Sequence, residues 1–129
     1  MQIVRTAYQA INDADDEALL DLCTSDVEVE ASGLMLDQAR TFRGHEGVRE
    51  YAASLREVWG DTLRSSPERF VEHGDSVVVM AHSSATASAS GVAIDARFTH
   101  VWTIRAGKIA RFQTFASRAQ ALEAVGLRE

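Results

Sequence analysis

The run Phe98-Thr99-His100-Val101-Trp102-Thr103-Ile104 decides how this chain is read. Its period of two would set Phe98, His100, Trp102 and Ile104 on one face of a pleated strand. An imidazole on such a face must find a hydrogen-bond partner or line a space that admits solvent or ligand. The stretch around it reads mostly as strand. Residues 64–72 lead through the turn His73-Gly74-Asp75 into residues 76–88, and Ser90-Gly91 marks the next reversal. Residues 92–104 follow, and Arg105-Ala106-Gly107-Lys108 turns the chain into residues 109–116. Pro67 requires an edge or irregular position, because it has no N–H to give to a ladder.

Working back from these strands, the pattern becomes helical. Ile3, Ala7 and Ile11 recur at four-residue spacing with Val4 and Tyr8 beside them, which predicts a short helix over residues 3–12. Asp15 is the expected N-cap of a second helix reaching about Cys23, with Asp16 and Glu17 at its positive end. Residues 26–31 alternate as a strand, with Val27, Val29 and Ala31 on one face and Glu28 and Glu30 toward water. A loop carrying Gly33, Met35 and Leu36 ends at Phe42-Arg43-Gly44; its large apolar side chains are read as a pocket lid, a partner contact or plugs for the core. Val48, Tyr51, Ala52, Leu55, Val58 and Trp59 form the apolar stripe of a longer helix from about Glu46 to Trp59, with Gly60 as its stop. Ser117 with Gln120 predicts the cap of a last short helix containing Leu122 and Val125. The order helix, helix, strand, helix and then antiparallel strands predicts an α+β domain whose helices cover one face of a curved sheet.

At 129 residues the chain is expected to form one domain, residues 1–129. Nineteen acidic against 13 basic residues, a formal charge of −6, weigh against a nucleic-acid-binding surface. No stretch has the length of a signal peptide's apolar core or of a membrane span, so a cytoplasmic protein without a membrane partner is expected. Cys23 is the single cysteine and permits no intrachain disulfide; Leu19, Leu20 and Leu22 beside it predict a buried, structural thiol on the second helix.

If Ser90-Gly91 closes a regular hairpin, His82 lies opposite Phe98 and diagonally near His100, both histidines facing the side of Met80 and Trp102. A slip of one residue would reverse that facing. Phe112, Thr114 and Ala116 continue the face on the next strand, with Arg111 and Gln113 opposite. The cavity so drawn is aromatic and apolar, with His82, His100 and Tyr8 as polar points, and suits a small, flat, hydrophobic molecule carrying one or two oxygens. Histidine also has the intrinsic pKa to move a proton near neutrality, so His100 is the expected acid or base and His82 its orienter or an oxyanion donor. The plain alternative is that both are satisfied core or rim residues. A metal site would need a third ligand, for which Glu30 and Asp37 are available in composition only, so neither metal nor cofactor is expected. His45 and His73 sit in turn-like settings. Asp95 and Arg97 belong to the opposite strand face, as a dimer contact or a solvated ion pair.

Several short motifs occur in a telling order: Asp15-Asp-Glu-Ala-Leu19, Ser25-Asp26-Val27, Phe42-Arg-Gly44-His-Glu46-Gly-Val48, Phe98-Thr-His-Val-Trp102, Gly107-Lys-Ile109 and Arg118-Ala-Gln-Ala-Leu122. In these the chain resembles the SnoaL-like group of the nuclear transport factor 2-like fold, which also holds ketosteroid isomerase, limonene epoxide hydrolase and polyketide cyclases. The resemblance implies a cone: a strongly curved mixed or antiparallel sheet with three main helices enclosing a pocket, and a homodimer through the outer sheet face. It does not imply an activity, because this fold carries enzymes, binding modules and regulators.

Compared by position, the isomerase base falls at Ala31, its oxyanion tyrosine at about Ala7 with Tyr8 turned away by about 100°, and its neutral aspartic acid at His100. Steroid isomerisation by that route is therefore not expected. The hydrolase's Asp-Arg-Asp group is matched only by Asp95 and Arg97, on the wrong face. The cyclase pattern is met loosely by His82 and His100, with Asp37 as the available carboxylate. The expected ligand contacts are Tyr8, Met35, Trp102, Phe112 and Thr114, with Arg40 on an anionic or enolate oxygen if its loop folds over. Two functions stay open: a cofactor-independent isomerase, cyclase or lyase acting on a small hydrophobic carbonyl compound, and a pocket or scaffold without turnover.

Overall fold

The computed structural model describes residues 2–32 and 39–127. The apolar repeat Val4, Ala7, Tyr8 forms the buried side of helix α1 (Gln2–Asn12). Asp15 caps α2 (Asp16–Asp21), its carboxylate accepting from the Ala18 N–H at 3.1 Å. Leu22 ends that helix, so Cys23 is the first residue of strand β1 (Cys23–Ala31) and not a helical one. A short strand β2 (Arg40–Arg43) precedes α3 (Gly44–Trp59), which stops at Gly60 with φ +61°. Strands β3 (Arg64–His73), β4 (Ser76–Thr86), β5 (Ala93–Arg105) and β6 (Lys108–Phe115) follow. Helix α4 (Arg118–Ala124) is capped by the Ser117 hydroxyl accepting from the Gln120 N–H.

The six strands form one sheet in the order β2-β1-β6-β5-β4-β3. Only β1 and β6 run parallel, so the sheet is mixed. The expectation of a strongly curved cone with three main helices is corrected here. The sheet is open, with β2 and β3 as unpaired edges. Among the described residues there are four helices, of which α2 and α4 have six and seven residues. The register slips in three ladders, beside Pro67, between Cys23 and Glu28, and between Thr103 and Ile104. An isolated bulge turns a strand locally and does not close a sheet. Pro67 sits on edge strand β3 at one of these slips, where its missing N–H is tolerated.

The sheet buries both faces unequally. On one, Val27, Val29, Val77, Val79, Ala81, Trp102, Ile109 and Phe112 pack with α1 and α3 into the main core. On the other, Val78 and Val101 pack under Ala121 and Leu122 of α4. The rest of this outer face carries cross-strand charges, including Glu30 with Arg111 and Glu68 with Arg97. No described helix is long and apolar enough to cross a membrane.

Gly47 lets α3 lie against β2: a Cβ built there would fall 2.9 Å from the Phe42 carbonyl carbon. Helix propensity alone favours Gly47→Ala by about 1 kcal/mol. The clash reverses that sign, and the variant should be destabilised by about 1–3 kcal/mol in urea unfolding. A variant as stable as the parent would show that α3 does not approach β2 this closely.

Candidate functional site

The β4–β5 register places the two histidines on opposite faces. Ala81, not His82, stands opposite Phe98, and His82 stands opposite Arg97. The one-residue difference turns His82 outward, where its Nε2 bonds Asp95 on the exposed face. His82 therefore does not orient His100. The hairpin is wider than a tight two-residue reversal: Ala87 donates to Val92 O and Gly91 to Ala87 O, which sets the slip.

His100 faces the interior and is built into a chain of donors. The indole Nε1–H of Trp102 donates to the Tyr8 hydroxyl oxygen at 3.1 Å, and that hydroxyl lies 2.7 Å from His100 Nδ1. Indole nitrogen is a donor only, so the Tyr8 oxygen accepts from it and its own hydrogen is free to go to Nδ1. Nδ1 is the acceptor that the buried Tyr8 O–H has among its described partners, so satisfying that O–H assigns Nδ1 as acceptor and the ring proton to Nε2. Nε2 has no partner among the described residues and is not sealed off. Burial pushes the conjugate acid of His100 down to about 4, so the ring is neutral near pH 7 and Nε2–H is an uncharged donor. Burial also pushes the Tyr8 hydroxyl well above the usual phenol value, keeping it protonated.

The open space beside this chain is a cavity of about 290 Å³. Its walls include Val29, Val48, Leu55, Phe98, Trp102 and Phe112, with Tyr8, Tyr51, His100 and Thr114 as polar points. The Phe112 ring lies 5.1 Å from the His100 ring and 4.4 Å from that of Trp102. Tyr51, which the sequence places only in the apolar stripe of α3, contributes a hydroxyl bonded to no described residue. Burial raises its pKa, so it too is an uncharged donor. Exposed lining residues Asp13, Ala14, Asp61 and Arg64 mark where the cavity meets solvent. At this rim a two-pronged Arg56–Asp16 pair ties α3 to α2.

The other expected contacts divide. Trp102, Phe112 and Thr114 line the cavity, Thr114 with its hydroxyl accepting from Ser32 N–H and donating to Ser32 Oγ. Arg40 does not line it; the guanidinium bonds Glu50 and covers the Phe42 ring at 4.4 Å. Met35 and Asp37 lie outside the described residues. Ala7 and Ala31, at the isomerase's tyrosine and base positions, are buried and carry no reactive group. Cys23 lines the cavity with its thiol pushed up to about 11 by burial. Among the described residues no group of three His, Cys, Asp or Glu side chains is placed to hold a metal ion.

With this fold and cavity in view, the chain belongs to the SnoaL-like domain family, whose model matches residues 4–112. Its fold is similar to that of a nuclear transport factor 2-like protein of unknown function from Burkholderia pseudomallei, at 24% identity and a TM-score of 0.81, with 98% of this chain and 96% of that one covered. A second such protein, from Burkholderia thailandensis, is 27% identical with a TM-score of 0.78, covering 95% and 94%. TerC, crystallised with polyporic acid, is 29% identical with a TM-score of 0.78, covering 96% and 95%. No curated protein matches the sequence.

Two outcomes follow for the hydrogen-bonded chain. Tyr8→Phe strands the Trp102 N–H and His100 Nδ1 in an apolar setting and should cost about 1–3 kcal/mol in chemical denaturation. The His100 ring binds a proton more weakly in the folded state than in the unfolded one, where its pKa is about 6.5. Its stabilising contribution is thus complete above pH 6.5 and lost as pH falls toward about 4, at a slope approaching 1.4 kcal/mol per pH unit. His100→Gln should flatten this part of the stability curve between pH 6.5 and about 4.5. An unchanged slope in the variant would mean that His100 titrates normally.

Proposed function

We propose that this protein binds a small, largely apolar molecule, holding one carbonyl or phenolic oxygen on the Nε2–H of His100 with the Tyr51 hydroxyl as a second donor. The observation that carries this reading is that Nε2 of His100 has no partner among the described residues and belongs to a ring lining an aromatic cavity, while its Nδ1 is taken by Tyr8. A ligand oxygen accepting from Nε2–H would pair that donor inside the cavity, a bond worth about 0.5–1.5 kcal/mol net. The flat walls of Trp102, Phe112 and Phe98 favour an aromatic or conjugated ligand. The likeness to TerC, crystallised with polyporic acid, supports the same ligand class.

Binding with polarisation of the oxygen fits this cavity better than proton transfer by His100. An imidazole whose conjugate acid is held at about 4 is a poor base at neutral pH. Of the carboxylates among the described lining residues, Asp13 lies in the α1–α2 connection, Asp61 in the α3–β3 connection, and Asp16 opens α2 at the rim, where it is paired with Arg56. An isomerase, cyclase or lyase would use the same donors to hold an enolate oxygen and would require a base in addition.

Calorimetric titration with polyporic acid and a panel of simpler aromatic ketones and phenols tests the proposal. His100→Phe should weaken binding at least about tenfold, equivalent to 1.4 kcal/mol. Tyr51→Phe should weaken it by a smaller factor. Absence of binding across the panel, or equal affinity in parent and both variants, would overturn it.

A further inference from the structure

Ser65 and Ser83 form a second polar point in the cavity, away from His100. They are register partners on β3 and β4, both buried, and both line the same space. Their hydroxyl oxygens lie 2.9 Å apart. In such a pair one O–H donates and the other oxygen accepts, so the acceptor's own hydrogen remains unspent. No second partner for either hydroxyl exists among the described residues. Asn12 engages Ser65 through the backbone alone: its Nδ2 donates to Ser65 O, and its Oδ1 accepts from Ser65 N–H, each at 2.8 Å. That clamp holds the strand and leaves the hydroxyls to the cavity.

The separation of the two polar points follows from the strand register. His100 stands beside Val79, and Ser83 lies four residues further along β4. At about 3.3 Å per residue this is roughly 13 Å. Phe98, beside Ala81, occupies the level between them. Ile11, Ala52 and Leu55 add apolar wall to the same cavity.

We infer that the serine pair is a second ligand subsite. The ligand is an elongated molecule with an apolar middle and an oxygen at each end, one on His100 and the other on the Ser65–Ser83 pair. The inference rests on the assignment of His100 as the first subsite.

The test compares two probes by calorimetry: biphenyl carrying a para hydroxyl on each ring, and biphenyl carrying only one. The parent should bind the two-ended probe about tenfold more tightly, a difference of 1.4 kcal/mol. The double variant Ser65→Ala/Ser83→Ala should erase that preference, binding the two probes with equal affinity. Removing both hydroxyls together strands neither, so the variant should keep the parent's unfolding midpoint within a few degrees. A preference that survives in the double variant overturns the serine subsite, as does a parent with no preference that still binds the one-ended probe in a His100-dependent way. If neither probe binds the parent, both the subsite and the His100 assignment fall.

Discussion

The hydrogen-bonded chain from Trp102 through Tyr8 to His100 is the constraint on which the site depends. Trp102 and His100 stand two apart on β5, so their side chains leave the same face of the sheet. Tyr8 descends from α1 and meets both, which docks the helix on the sheet through polar atoms inside an otherwise apolar core. The indole can only donate, and the buried Tyr8 O–H has His100 Nδ1 as its acceptor, which together assign the direction of the chain. The consequence appears at the near end, where a neutral imidazole presents N–H to the cavity. The Tyr8 hydroxyl thus serves packing and site chemistry together.

Burial decides the character of these groups. Each of His100, Tyr8 and Tyr51 is displaced toward its uncharged form by loss of solvent. The cavity therefore combines uncharged polar groups with aromatic walls. The charged residues are arranged differently. Pairs such as Arg111–Glu30 and Arg97–Glu68 lie on the outer sheet face with substantial exposure, where screening leaves each pair little to contribute to stability.

The family relationship and the site chemistry also separate. The family model matches residues 4–112, yet Ala7 and Ala31, which the resemblance sets against the isomerase's tyrosine and base, are buried alanines without a reactive group. The polar points of the cavity come instead from His100, Tyr51, Ser65 and Ser83.

The sequence by itself determined what depends on neighbouring residues. Helical spacing placed Val4, Ala7 and Tyr8 on one side of α1, Asp15 and Ser117 announced their caps, and alternation put His100 and Trp102 on one strand face. Strand β2 escaped because four residues with only Phe42 buried carry no periodic signal. The position of His82 escaped because strand facing reverses with a one-residue change in register, and that register depends on how the chain crosses between Thr86 and Ala93. Tyr51 looked like one more apolar stripe residue, since a helical pattern does not say whether a hydroxyl meets a wall or a void. The meeting of Tyr8 with residues more than ninety positions away, and of Ser65 with Ser83, was decided only by tertiary structure. Hydrogen bonds between distant elements are set by how those elements pack, and no local pattern in the chain encodes that packing.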